Sequence, residues 1–462
     1  MSGLRSTVYR GGGYLAARQV MGMVLSAGSV LALTRLLGPA TYGLYAAALA
    51  LQLLAQTVAG LGVQTYLVRL PGEAGDEVYD HALSFLLVAG AAATLVSLLA
   101  LPAVEHVSRL ELGLPALVLF AATPVQLVAA VPMARIERAL DFRSVARIEL
   151  SGQVAFVAVA VTLAFAGYGI WAPILGFWVQ HLVNGTLYFG AAHYRPHWRW
   201  SSAANRAMIR FGSGYTVSVW VWHARRLVNP MVVGRYLGSE GVAYVALATQ
   251  LAAQLGFIVS VAWRLSTATL ARLQDDPART ARAIAHGMHL QALAVGVPLV
   301  VFGWFGDRLV PLLFGATWAP VMQVYPAIAL GFLASSVFML QSSALSVRHR
   351  NWEVTAFHAS NVLLLGGTAL VLVPRLGLAG YALAEVVALL SYGVLHLLVR
   401  LYIPRFWHPA PALACAAFAV ALVLPQLWVL GLLLTGAVLL ARPTRVLAGD
   451  MWNQFRGRAY DG

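Results

Sequence analysis

Two neighbouring guanidinium groups, Arg225 and Arg226, stand inside a long apolar stretch. At bilayer depth each costs roughly 2.5–3.5 kcal/mol on insertion scales, so such a charge normally faces protein or water. At about 100° per residue, Ser218, Trp222, His223, Arg225, Arg226 and Asn229 fall within an arc of roughly 160°. Val217, Trp220, Val221, Ala224, Leu227 and Val228 fill the opposite side. Two readings stay open: a polar face lining a cavity, or guanidiniums that pair with backbone carbonyls or snorkel outward. The pair lies about 15 residues above the Arg-rich end of its span, over about 20 Å along a helix, which rules out snorkelling toward that end. Arg18, with Tyr14, Gly22, Ser26 and Ser29 on its side, and Arg264 stand lower in two other spans, where snorkelling to the nearer headgroups is an equal alternative. A guanidinium fork grips phosphate oxygens bidentately and stays charged at any working pH. Together the four arginines form a basic track suited to a polyanionic headgroup and hostile to a cation.

Glu385 is the lone acidic residue deep in a span, and Tyr381, Tyr392 and His396 share its stripe at i−4, i+7 and i+11. It reads either as a proton or cation site coupling to an ion gradient, or as a neutral acid hydrogen-bonded within the helix packing. Other chemistry is thin. His286 and His289 at i,i+3 lack a carboxylate or thiolate companion, so no metal is expected. The glycosylation-like Asn184-Gly185-Thr186 lies inside a span, and His181 and Asn184 suit interhelical hydrogen bonds as well as a cavity wall. No nucleophile–base constellation has workable spacing, so the chain is read as not an enzyme. No cofactor is expected either. All 31 basic residues are Arg; the absence of Lys excludes a Walker A loop and a pyridoxal-phosphate Schiff base. The single Cys415 permits no internal disulfide and no cysteine zinc site.

The elements that must hold these groups are membrane helices. Of 462 residues 60% are hydrophobic and only 10% charged, with a mean hydropathy of +0.76; a soluble chain carries about 25% charged residues. With about twenty residues needed per crossing, about 14 spans are expected, near 11–34, 41–68, 82–104, 113–133, 150–166, 169–192, 211–234, 241–267, 284–305, 320–346, 354–373, 377–399, 410–425 and 427–441. The first is too long, and carries Arg18, for a cleavable signal. With both termini in the cytoplasm, 22 Arg fall on inside loops and five outside, which sets the orientation by the positive-inside rule. The net charge of +14 is thus a topology signal, and no nucleic-acid partner is expected.

Residues 35–51 repeat at 235–251, with Arg35/Arg235, Leu37/Leu237, Gly38/Gly238, Ala46/Ala246, Ala48/Ala248 and Leu51/Leu251 identical. Six crossings separate the copies, so both halves face the same way. That pattern predicts two six-helix lobes, 1–200 and 201–402, related by a parallel pseudo-two-fold, followed by two further helices and a tail at 403–462. The segment His193-Tyr-Arg-Pro-His-Trp-Arg-Trp200 is then the cytoplasmic linker, its Trp198 and Trp200 beside Arg195 and Arg199 suited to the interface.

Several stretches resemble the Wzx-type lipid-linked oligosaccharide flippases of the multidrug/oligosaccharidyl-lipid/polysaccharide exporter superfamily. They include LTRLLGPATYGLYAAALAL (33–51), GYGIWAPILGFWVQHLV (167–183), RPHWRW (195–200) with RFGSGY (210–215), and VVGRYLGSEGVAYVALA (232–248). Further matches are LARLQDDPART (270–280), LFGATWAPV (313–321) and LVPRLGLAGYALAE (372–385). Pro173 departs from the family pattern. The resemblance implies lobes in a V, alternating access and a cationic cavity in which Arg18 and Arg264 stand where related flippases carry cations. It also implies an undecaprenyl-diphosphate-linked sugar repeat unit as cargo, moved across a bacterial inner membrane for O-antigen, capsule or exopolysaccharide synthesis. Expected partners are that lipid-linked oligosaccharide, membrane lipids, a polysaccharide polymerase and glycosyltransferases. A multidrug exporter of the same superfamily, a polymerase or ligase of the same pathway, and a non-transporting scaffold are the alternatives.

Overall fold

In hydrocarbon every backbone N–H and C=O must find its partner within the segment, which leaves helices as the solution for a chain with this apolar run length. All regular structure among the described residues is helical. The computed structural model describes residues 2–70, 72, 75–256, 277–348, 350–403, 409–424 and 428–445, with the backbone alone at 2–20, 211–215, 277 and 428. The helices are α1 (Ser2–Gly60), α2 (Val63–Arg69), α3 (Asp76–Ser108), α4 (Gly113–Ala121), α5 (Thr123–Arg138), α6 (Phe142–Phe165), α7 (Trp171–Ala191), α8 (Ser202–Ala224) and α9 (Gly234–Leu255). They continue with α10 (Pro277–Phe314), α11 (Val321–Val347), α12 (Asn351–Leu376), α13 (Leu378–Ala388), α14 (Leu390–Tyr402), α15 (Pro409–Val423) and α16 (Trp428–Leu440). Eight described segments are long and apolar enough to cross a membrane unaided, and Pro409–Val423 and Val429–Leu440 are shorter apolar helices. The chain is an all-α, multi-pass integral membrane protein.

The repeat read from sequence reappears as backbone geometry. The helical run of α1 is broken at Gly38 (φ 71°, ψ 172°), and that of α9 at Gly238 (φ 68°, ψ −168°). This conformation is open in practice only to glycine, so two residues 200 apart hold the same forced break. Pro39, its φ preset, starts the helix that follows the first break. Beyond the breaks, Gly43 approaches the backbone of Ser239 and Ala243 so closely that a side chain at 43 would collide with the Ser239 carbonyl.

Other spans are subdivided rather than continuous. The segment expected at 113–133 is α4 and α5 joined at Ala122, and that at 377–399 is α13 and α14 joined at Leu389. Pro173 falls in the first turn of α7, where an N–H has no intrahelical partner to lose, so the departure from the family pattern costs the helix nothing. Asp141 caps α6: its Oδ1 accepts from Ser144 N at 3.1 Å and its Oδ2 from Ser144 Oγ at 2.5 Å, bonds that hold its carboxyl below the usual range.

The chain divides into two compact units, 1–243 and 244–462. In the first, Val63 and Leu67 of α2, Leu83 of α3, Val131 of α5 and Met208 of α8 meet in one buried cluster. In the second, α11 is the most enclosed span among the described residues: Tyr325, Leu333 and Val337 are all fully buried, and Tyr325 donates its hydroxyl to the Leu299 carbonyl of α10 at 3.0 Å.

Candidate functional site

In the first unit, the regular ladder of α8 ends at Ala224, immediately before the arginine pair. Arg225–Leu227 form a 3-10 turn and Asn229–Val233 a π turn before α9 begins. The cause is local: Pro230 has no N–H to offer the carbonyl four residues back. Val228 N–H therefore reaches back three residues to Arg225 O, and Gly234 N–H reaches back five to Asn229 O. Tight and wide turns of this kind gather at functional sites.

The defect changes what the arc of polar residues means, because a rotation of about 100° per residue holds only through Ala224. Arg225 lies over the Trp222 ring, 5.9 Å from its centroid. Arg226 is exposed, and Trp222, His223 and Arg225 are half-buried. Asn229 turns its Nδ2 to the Val242 carbonyl at 3.2 Å, tying the defect to the helix beyond Gly238. Ser218 is buried in the packing, and Trp220, on the opposite side, donates Nε1 to the Thr57 carbonyl of α1 at 3.2 Å. No Asp or Glu occurs between Glu149 and Glu240, so this length of chain carries only positive formal charge. Arg18 lies on α1, with its side chain outside the described residues, and Arg264 lies outside them altogether.

In the second unit Glu385 is 3% exposed on α13. Gly331 of α11 makes room for its carboxyl, since a Cβ there would stand 3.2 Å from Oε2. Nearby in sequence, Tyr392 on α14 is wedged between Phe338 and Phe357, both 5.2 Å away by ring centroid, and His396 is half-buried. Sequence reasoning missed Asn361 of α12, which donates to Ser391 Oγ at 2.9 Å and to the Ala388 carbonyl at 3.2 Å across the α13–α14 joint. A buried amide in mid-span was the signal available.

A second missed cluster lies at the Arg-rich end of the first unit. Asp80 of α3 is 2% exposed. It accepts from the Tyr194 hydroxyl at 2.5 Å and from His197 N at 3.1 Å, while Ser84 accepts from Arg199 N at 3.1 Å. Burial, and then the bond to Asp80, push the Tyr194 phenol well above its ordinary range. Arg135 pairs with Asp76 at 2.6 Å and lies over the Tyr79 and Tyr194 rings, and Arg199 pairs with Glu77. The linker is thus stapled to α3 across more than a hundred residues of sequence.

The remaining marked residues serve packing. Asn184 of α7 is pressed against Gly152 of α6, and His181 stands edge-on to Phe177, 4.4 Å between centroids. His286 Nδ1 lies 3.0 Å from Arg282 O, and His289 Nε2 3.0 Å from Thr444 Oγ1.

Against this geometry, a family model described as "Polysaccharide biosynthesis protein" matches residues 32–323, more than half of the chain. The chain belongs to that family. It is 26% identical over 310 residues to the succinoglycan biosynthesis transport protein ExoT of Rhizobium meliloti, covering 64% of this chain and 60% of the relative. It is also 26% identical over 211 residues to the lipopolysaccharide biosynthesis protein WzxC of Escherichia coli, covering 44% of this chain and 42% of the relative. The matches therefore span about half the length of these relatives. Among solved structures, the fold is similar to that of the lipid II flippase MurJ in an inward closed conformation, with a TM-score of 0.71 over 97% of this chain and 99% of that one at 11% identity. The resemblance to Wzx-type proteins read from the motifs stands on these findings.

Proposed function

We propose that the protein is a flippase that carries an undecaprenyl-diphosphate-linked oligosaccharide from the cytoplasmic to the outer leaflet of a bacterial inner membrane, for cell-surface polysaccharide synthesis. The observation that carries this reading is the Arg225–Arg226 pair at a break in helical geometry. The pair belongs to a stretch of 90 residues that contains no Asp or Glu. A pair of forks there suits a diphosphate, whose oxygens accept bidentately. Trp222, His223 and Asn229 would contact the sugar or the phosphate, and Arg18 and Arg264 would receive the headgroup lower down. Lobes 1–200 and 201–402 would exchange access while the polyprenyl tail stays in lipid, through about fourteen crossings with both termini cytoplasmic.

Glu385, with Tyr392 and His396, is the candidate for coupling to a proton or cation gradient. Family membership and the transport name of ExoT support transport over enzymatic chemistry. Glycosyltransferases would supply the cargo and a polymerase would consume it. The test is to express Arg225→Ala/Arg226→Ala in cells lacking the gene. Loss of surface polysaccharide with intracellular accumulation of lipid-linked repeat units, at normal protein level, is expected. Undiminished export at that level would remove the pair from the mechanism.

A further inference from the structure

The segment 193–200 does more than connect. The Tyr194 hydroxyl and the backbone N–H groups of His197 and Arg199 fix it to Asp80 and Ser84 by the three bonds given above, which turns Tyr194 inward. The intervening side chains face outward. Trp198 is 63% exposed and Trp200 48% exposed, and their rings stack on each other with centroids 6.4 Å apart and planes 12° from parallel. Arg195 is exposed beside them in sequence. The helix that follows, α8, opens with Arg206, Ile209 and Arg210 all exposed. Residues 195–210 thus carry four arginines and no acid. Arg199 is held by Glu77 and Asp80.

An indole pair left in water exposes a large apolar area, and indole is the side chain best matched to the boundary where acyl chains give way to headgroups. A guanidinium at the same depth meets phosphate. We infer that the stapled linker and the start of α8 form a docking surface for the headgroups of anionic phospholipids in the adjoining leaflet. Trp198 and Trp200 enter the acyl boundary, and Arg195 and Arg206 hold the phosphates. The charge of the segment selects an anionic headgroup, and the staple means that the rings are already ordered before lipid arrives, so binding sacrifices little freedom. The inference needs the protein to be a membrane protein. It does not depend on the cargo.

The full-length protein, reconstituted in phosphatidylcholine vesicles with and without phosphatidylglycerol, decides it. The readout is quenching of tryptophan fluorescence by brominated acyl chains carried either on the zwitterionic or on the anionic lipid. Stronger quenching by brominated phosphatidylglycerol is expected, with the excess lost in Trp198→Phe/Trp200→Phe. Arg195→Gln/Arg206→Gln should lower the preference by roughly fivefold per guanidinium while leaving quenching by phosphatidylcholine in place. Asp80→Asn, which loosens the staple, should weaken the preference as well. Should that buried variant fail to fold, the surface variants decide alone. Equal quenching by the two lipids, or an excess that persists in the double Phe variant, would overturn the proposal. So would rings quenched by neither lipid, the result expected if the surface docks a soluble acidic protein instead.

Discussion

The two compact units hold their mid-span charges differently. In the first, two guanidiniums stand at a break in a helix, one exposed and one resting on an indole. In the second, the carboxyl of Glu385 is enclosed by α11 and α13, with Asn361 and Ser391 hydrogen-bonded nearby in the packing. A carboxylic acid can turn neutral when water is withdrawn and so tolerate enclosure. A guanidinium cannot, and must be left access to water, headgroup or anion. The first unit thus leaves its arginine pair partly open at a helix break, and the second encloses Glu385 in helix packing.

The largest effect expected from this contrast is on Arg225→Ala/Arg226→Ala, which should reduce export at least about tenfold with little change in thermal stability. The reverse split would show the pair to be structural. Glu385→Gln keeps the shape and hydrogen-bonding reach of a neutral acid. It should fold as well as wild type, yet in proteoliposomes its transport should no longer respond to an imposed pH or cation gradient. A gradient response equal to wild type would assign Glu385 to packing alone.

The two glycine breaks of the repeat, both within the first unit, can also be compared where they agree. Gly38→Ala and Gly238→Ala each place a Cβ on a backbone conformation that glycine alone adopts freely, at a cost of about 1–3 kcal/mol. Matching losses of melting temperature in detergent are expected, and a loss at one site only would break the equivalence of the repeats. A subtler pair follows. Tyr194 donates to buried Asp80, and Tyr402 donates to Glu353 at 2.6 Å while its ring lies under Arg350, 4.6 Å from the centroid. Tyr194→Phe leaves a buried carboxylate short of a donor and should cost about 1–3 kcal/mol; Tyr402→Phe, at a more open site, should cost less. Because the Tyr194 phenol is raised in the folded state, its contribution is complete below the ordinary tyrosine range near pH 10 and fades as pH climbs beyond it. Melting curves at rising alkaline pH should therefore fall more steeply for wild type than for Tyr194→Phe.

Much of the fold was legible because hydrocarbon permits so few solutions. Apolar run length marked the chain as a multi-pass helical membrane protein, and six identities at one offset marked a repeat whose two glycines prove to share one backbone break. What escaped is non-local or non-periodic. The arc drawn through Asn229 assumed a constant rotation per residue, and Pro230 ends that constancy by removing one N–H. The staple joins Asp80 to Tyr194 and His197, and the core of the second unit joins Asn361 to Ser391. No spacing rule links residues that far apart. In the sequence Asp80 reads as an ordinary charge ahead of an apolar run, and only packing reveals that it is buried.

The central claim is that the cation pair at the helix break handles a diphosphate in transit. It is tested most directly with purified protein in proteoliposomes containing a fluorescent polyprenyl-diphosphate oligosaccharide, by measuring how much becomes accessible at the opposite leaflet. Wild type should transfer the lipid, Arg225→Ala/Arg226→Ala should fall to the protein-free rate, and Arg225→Lys/Arg226→Lys should lie between them. Transfer by the double alanine variant at the wild-type rate would contradict the account.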